Sequence, residues 1–312
     1  MASKNSTVDV CVLLATFRRS DLLRQTLASI ADQQLNGLTL AVIVVDNASD
    51  AATKDVAEAF EHRITGLQYV VETRPGKSAA INRGLDALPS CELLVFTDDD
   101  IVARPDWIAQ LWAAMHRWPD VDIFGGRIIA RYPPDSRGLD LTSRWLREAL
   151  AVENEDGPER EVPPVNLWGP NLAVRARVMS GGIRYDEARG PAQGEYITGC
   201  ETEFTNRLAS MGAVCVFVPQ AVVQHVVRQE QLETAWLCRR SYKHGREHAA
   251  KEAMNERNFL LGVPRWVYRK RVEWLMRGWI RTLSGESVKA VEAKMIQEFL
   301  RGTTAYYRQH RP

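Results

Sequence analysis

Residues 92–100, Glu92-Leu93-Leu94-Val95-Phe96-Thr97-Asp98-Asp99-Asp100, run a short apolar segment straight into three consecutive aspartates. A brief apolar run closed by turn-forming polar residues reads as a buried strand. Three upstream segments end the same way. Val8 to Leu14 leads into Ala15-Thr16-Phe17-Arg18-Arg19, Leu40 to Val45 into Asp46-Asn47-Ala48-Ser49-Asp50, and Leu67 to Val71 into Arg74-Pro75-Gly76-Lys77. Helical spacing fills the gaps: Leu22, Leu23, Leu27 and Ile30 after a cap at Ser20 or Asp21, a stretch through Phe60, and Ser78 to Leu88. Strand and helix alternating over short connections predict an α/β fold, a Rossmann-like and mostly parallel sheet with helices on both faces. Ligands of such sheets gather beyond the carboxyl ends of the strands. Four strands thus carry Thr16, Arg18, Asp46, Asn47, Arg74, Lys77 and the three aspartates to one rim.

Beyond Trp107 the pattern loosens. Val121 to Ala130 reads as a strand, Tyr132 to Pro164 as an irregular or partly helical excursion, and Glu201 to Met211 as a helix ending at Gly212. Val214 to Val218 and Ala221 to Val226 read as two short strands, with His225 near the end of the second. A chain of 312 residues with 45% hydrophobic content holds one large α/β domain and an appendage. No apolar run reaches the roughly 20 residues that span a bilayer. Residues 1–10 lack the charged start and apolar centre of a secretory signal, and the five cysteines form no Cys-x-x-Cys pair. Both features predict a reduced, cytoplasmic protein.

Adjacent carboxylates at a strand end repel one another unless a cation or hydrogen-bond donors offset the charge. Mg²⁺ and Mn²⁺ prefer oxygen ligands, often one or two carboxylates completed by substrate phosphates and water. The aspartate run therefore predicts a divalent metal site; a helix N-cap at Asp100 is the structural alternative. Together with Ala15-Thr16-Phe17-Arg18-Arg19, Val44-Val45-Asp46-Asn47-Ala48-Ser49, Gly76-Lys77-Ser78-Ala79-Ala80-Ile81-Asn82-Arg83-Gly84, Gly169-Pro170-Asn171-Leu172-Ala173-Val174-Arg175 and Gly199-Cys200-Glu201-Thr202-Glu203-Phe204, the run resembles family-2 glycosyltransferases over about Asp9 to Arg228.

That resemblance implies a GT-A fold over residues 1–228, followed by a helical, basic region at 229–312 on the acceptor side or facing a membrane. It implies inverting transfer of a sugar from a nucleoside diphosphate donor, a UDP-sugar first, to an acceptor hydroxyl in polysaccharide or glycoconjugate synthesis. By position, Asp46 reads the base, with an Asx turn into the next helix as its structural alternative. Thr16, Arg18, Asn47, Arg74, Lys77, Asn82 and Asp98 line the nucleotide-sugar site, Asp99 supports them, and Asp100 binds Mn²⁺ or Mg²⁺ with His225. Where the family has an acidic pair at the start of a late helix, this chain has Cys200-Glu201, so Glu201 is the implied base and the first acid is missing. Glu203 reads as a first-turn acid complementing the helix dipole.

Other readings weaken on inspection. A nucleotidyltransferase would carry a glycine-rich loop after the first strand, where this chain has Ala15-Thr16-Phe17-Arg18-Arg19. A catalytically silent donor-binding subunit stays open because of Cys200. Arg74-Pro75-Gly76-Lys77-Ser78 lacks the upstream glycine of a P-loop, and no G-x-G-x-x-G follows the first strand. His244-Gly245-Arg246-Glu247-His248 matches a zinc-protease spacing, but Gly245 weakens the helix and no further ligand set follows. Without Gln-x-x-Arg-Trp or spanning helices, a processive synthase is not expected. From Gln231 onward there are 17 Lys and Arg against 8 Asp and Glu, leaving 23 against 31 before it. Trp236, Trp266, Trp274 and Trp279 among those cations suit either an anionic membrane surface or a helical cap on the acidic body. Nucleic acid is not an expected partner of an acidic body. The acceptor, carbohydrate or lipid-linked, is not specified.

Overall fold

The computed structural model describes residues 7–136, 138–190, 199–253, 256–283 and 287–310. They form two compact units. The first comprises Met1–Arg131 and Ala151–Val226, the second Tyr132–Leu150 and Val227–Pro312. The excursion at Tyr132–Leu150 thus joins the C-terminal helices.

In the first unit β1 (Val8–Thr16), α1 (Ser20–Ala31), β2 (Leu40–Asp46), α2 (Ala51–Phe60), β3 (Leu67–Val71), α3 (Lys77–Asp86) and β4 (Cys91–Asp98) alternate as the sequence predicts. The strands lie parallel in the order β3-β2-β1-β4. Alternation within β1 explains why both faces are covered. Val10, Val12 and Leu14 pack with Leu23, Leu27 and Val56 of α1 and α2. Cys11 and Leu13 pack with Ala80, Ile81 and Leu85 of α3. A strand buried on both faces needs apolar residues on both, as this one has from Val10 to Ala15. Ser20 opens α1 without a side-chain cap, and Asp21 lies in its first turn.

The rest of the sheet is built from β5 (Ile101–Ala103), then, after α4 (Trp107–Arg117), from β6 (Ile123–Arg131). The second unit's α5 (Arg144–Ala149) intervenes before β7 (Arg160–Glu161), β8 (Leu172–Arg175), α6 (Cys200–Ser210) and β9 (Cys215–Val226). β8 runs antiparallel to β4 and β6, β9 parallel to β6, and β5 antiparallel to β9. The two short strands expected after Val214 are one strand, β9, whose register against β6 shifts between Gly126 and Arg127. Asn171 closes that irregularity. Its amide donates to the carbonyls of Arg127 (3.0 Å) and Ala221 (2.8 Å), and its oxygen accepts from the Trp107 indole (2.8 Å).

In the second unit α7 (Thr234–Glu252), the hairpin β10 (Phe259–Leu260) and β11 (Val263–Pro264), α8 (Arg265–Leu283) and α9 (Ser287–Gln309) follow. The side chain of Trp279 lies outside the described residues. Gly245 does not break α7. It lets α7 meet α9 backbone to backbone: a Cβ there would stand 1.9 Å from the Phe299 carbonyl oxygen, and one at Gly302 2.0 Å from that of Tyr242. Gly245→Ala should therefore lose about 2–3 kcal/mol in urea unfolding, because the clash exceeds the gain in helix propensity.

Candidate active site

Register brings the chemistry together. Thr16 pairs with Asp46 and Ala15 with Asp98, so β1, β2 and β4 end level. On β9, His225 lies opposite Ile101, and the Val226 N–H donates to the Asp100 carbonyl at 2.8 Å. A histidine 125 positions away in sequence is thereby set beside the aspartate turn.

Two hydrogen-bonded groups result. In the first, the Thr16 hydroxyl donates to Asp99 Oδ2 (2.7 Å), and one Arg19 nitrogen reaches Asp99 Oδ1 and Asp100 Oδ2, both at 3.2 Å. His225 Nε2 lies 3.3 Å from Asp100 Oδ1. Lys77 Nζ bridges Asp98 Oδ1 (2.5 Å) and Glu201 Oε1 (2.6 Å), while the Cys200 thiol donates to Glu201 Oε2 (3.0 Å). Asp99 and Asp100 are each only 4% exposed. Burial and the neighbouring Asp100 charge hold Asp99 up at about 6 despite Arg19 and Thr16. Glu201 goes the other way: burial would raise it, but the Lys77 ammonium and the Cys200 hydrogen bond bring it down to about 2. Gly169 makes room for this carboxylate, since a Cβ there would stand 2.7 Å from Glu201 Cγ.

The second group sits at the ends of β2 and β3. Asp46 is fully buried and accepts from the Ala48 N–H, the Asp50 N–H and the Tyr69 hydroxyl (2.7–2.8 Å), an Asx-type turn. Asn47 donates to the Glu72 and Arg74 carbonyls and accepts from the Gly76 N–H at 2.9 Å, where φ of 123° calls for glycine. Arg74 spans Glu72 and Glu187. Asn82 holds the Tyr185 backbone from both sides and donates to Glu187.

Arg18 belongs to neither group. It is exposed, with φ of 52° and its guanidinium over the Phe17 ring. Arg19 takes the place among the aspartates. The sequence offered two adjacent arginines and no way to say which side of the turn each would occupy. Asp100 opens no helix; the turn it sits in leads to β5. Glu203 pairs with Arg207 at 3.0 Å, one helical turn on.

Lys77 can be tested without any substrate. Lys77→Met leaves Glu201 buried beside Asp98 without its cation, which should cost about 2–3 kcal/mol at neutral pH. In the native chain the lowered Glu201 pKa adds stability above the ordinary carboxylate range that is lost as pH falls toward about 2. In the variant the pKa is raised instead. Its stability deficit should then shrink from roughly pH 8 to pH 5 as the carboxyl protonates, read by thermal unfolding at both values.

The donor chemistry fits a divalent cation. Four carboxylates, Asp98, Asp99, Asp100 and Glu201, face two permanent cations, Arg19 and Lys77. Asp100 Oδ1 and His225 Nε2 stand about as far apart as two ligands of one ion, roughly 3 Å. Among the described residues no three His, Cys, Asp or Glu side chains form a cage.

Beyond its parallel strands the sheet thus carries an acidic rim in which Arg19 and Lys77 sit among four carboxylates. The family model described as "Glycosyl transferase family 2" matches residues 11–168, half of the chain, and the chain belongs to that family. Among curated relatives, the succinoglycan biosynthesis protein ExoM of Rhizobium meliloti is 26% identical over 254 residues, 78% of this chain and 75% of that protein. The glycosyltransferase AglE of Haloferax volcanii is 24% identical over 224 residues, 70% and 67%. The fold is shared with a mannosyltransferase, PcManGT, from Pyrobaculum calidifontis, solved in complex with GDP-Man and Mn²⁺, at 18% identity and a TM-score of 0.61 over 99% of this chain and 90% of that one. It is shared also with S. aureus TarS 1–349 in complex with UDP, at 14% identity and a TM-score of 0.54 over 97% and 92%.

Proposed function

We propose that this glycosyltransferase moves a sugar, with inversion, from a nucleoside diphosphate donor to an acceptor hydroxyl, with Glu201 as general base. The observation that carries the reading is the bridge Asp98–Lys77–Glu201. One ammonium joins an acid of the aspartate turn to the first-turn acid of α6. The donor's base occupies the side of the rim framed by the Asp46 turn, Asn47 and Arg74. Its diphosphate lies along Thr16, Arg19, Lys77 and the aspartates. Asp100 and His225 would hold Mn²⁺ or Mg²⁺, which when bound supplies Lewis-acid stabilisation of the departing diphosphate. A UDP-sugar is the first choice of donor and a GDP-sugar the second.

While Lys77 holds it, Glu201 is unprotonated at any working pH but weakly basic. A diphosphate arriving beside Asp98 competes for the same ammonium. As that ion pair loosens, Glu201 regains basicity and takes the acceptor proton while the acceptor oxygen attacks the anomeric carbon. The bond from that carbon to the diphosphate oxygen breaks, its electron pair leaving with the nucleoside diphosphate. Cys200 occupies the position at which the resemblance implies the first acid of a pair, and its thiol donates one hydrogen bond that orients Glu201.

The test is release of nucleoside diphosphate from a panel of UDP-, GDP- and dTDP-sugars with Mn²⁺, water serving as acceptor. The anomer of the freed sugar is read by NMR before it mutarotates. Inversion is expected; a sugar freed with its configuration retained would rule out direct displacement.

A further inference from the structure

Ten large apolar side chains stand exposed among the described residues, and five of them lie between Leu260 and Met276 in the second unit. On α8, Val272 (57% exposed), Leu275 (59%) and Met276 (58%) sit at i, i+3 and i+4, on one side of the helix. The opposite side is spent on folding: Val267, Trp266 and Trp274 pack with Ile296 and Leu300 of α9. Along the outward stripe, Arg265 and Arg269 are also exposed, so that Arg265, Arg269, Val272 and Met276 follow one another over about 16 Å. The face is basic at its start and apolar at its end. From Arg265 to Arg277 there are five Lys and Arg and a single acid, Glu273, which is already held by both Lys270 and Arg277.

The hairpin ahead of α8 supplies an independent observation. Its tip is Leu261-Gly262, both at positive φ (50° and 75°), and Leu261 is 75% exposed. Two-residue turns of this kind favour Asn, Asp or Gly, because a side chain with Cβ is strained there. Folding alone gives no reason to keep a leucine at a strained position pointing into water. Contact with an apolar phase outside the chain does.

The geometry points to a peripheral membrane-docking surface formed by the Leu260–Leu261 tip and the outward face of α8, with an anionic lipid bilayer as its partner. Leucine, valine and methionine enter the boundary of the acyl chains, and Arg265 and Arg269 meet lipid phosphates. The contact is interfacial: no helix among the described residues is long and apolar enough to cross a membrane. The charge decides in favour of an anionic surface over a neutral one. This reading is independent of the donor site, and it is tested without nucleotide.

The experiment is flotation of the full chain with phosphatidylcholine vesicles and with vesicles containing equal parts phosphatidylglycerol, at low and high salt. Binding to the phosphatidylglycerol vesicles, weakened by salt, is expected. Leu275→Ser with Met276→Ser should weaken it at least roughly tenfold through lost apolar burial. Arg265→Gln or Arg269→Gln should each weaken it roughly fivefold. Leu261→Asn separates this role from folding: relief of the turn should leave thermal stability equal or higher while binding falls. Absence of wild-type flotation at low salt would overturn the proposal, as would binding that none of these substitutions alters. A wild-type chain that does not float but dimerises, and turns monomeric with Leu275→Ser and Met276→Ser, would assign the face to a second copy and overturn it too.

Discussion

Glu201→Gln should lower turnover about 10²- to 10⁴-fold while leaving nucleoside diphosphate binding intact. Glutamine keeps the shape of the side chain and can still accept from the Cys200 thiol, so α6 and the space beside Gly169 are undisturbed. What disappears is the ability to take a proton from the acceptor, together with one of the two carboxylates that hold Lys77, whose pair with Asp98 remains. The loss should fall on kcat, since the proton moves only in the transition state. Turnover equal to the native chain would remove Glu201 from the mechanism. Loss of turnover together with loss of donor binding would give it a binding role in place of the base's.

The second large effect belongs to Asp100. Asp100→Ala removes a carboxylate that faces both His225 Nε2 and the Arg19 guanidinium, the one proposed to hold the cation with His225. Lewis-acid stabilisation is worth several kcal/mol, so turnover should fall by about 10³-fold. Adding Mn²⁺ should no longer strengthen nucleotide binding. Stability should hold or rise slightly, because one of three crowded carboxylates is gone. If Mn²⁺ enhanced nucleotide binding as strongly in Asp100→Ala as in the native chain, the ion would have to sit elsewhere.

These expectations rest on features that the sequence exposed unequally. The four parallel strands were legible because each is a mainly apolar run closed by polar residues. The pattern is densest in β1, β2 and β4, which are buried on both faces, and weakest in the edge strand β3, which carries Gln68. The rim followed from their ends. Later strands were less legible. β5 is three residues long and gains its meaning only from pairing with β9, which is also what sets His225 beside Asp100. β9 read as two strands because Pro219-Gln220 interrupts it; the shift against β6, held by Asn171, lets it run on. The helix α4 was not read from the sequence although Trp107, Ile108, Leu111 and Met115 keep helical spacing.

Among site residues, the aspartate run announced itself through charge that needs an offset. The choice of Arg19 over Arg18 did not, because it depends on a left-handed residue in the turn, and Arg18 is no glycine. Asn47 and Asn82 read as donor-site residues in the motifs. Their amides also fasten neighbouring loops, a use that only long-range partners reveal. The bridge through Lys77 was equally hidden, since its two carboxylates lie 103 positions apart in sequence and meet only when α6 docks on the sheet.

The central claim, that the acidic rim is a metal-assisted donor site, is tested most directly by thermal stabilisation with UDP, GDP, dTDP and NAD, each with and without Mn²⁺, in the native chain and in Asp100→Ala. A ligand bound only by the folded state raises its melting temperature, by roughly 5 °C at a hundredfold excess over Kd. The account predicts a shift with one nucleoside diphosphate, enlarged by Mn²⁺, with the enlargement lost in Asp100→Ala. No shift with any diphosphate, or a shift indifferent to both Mn²⁺ and Asp100, would contradict it.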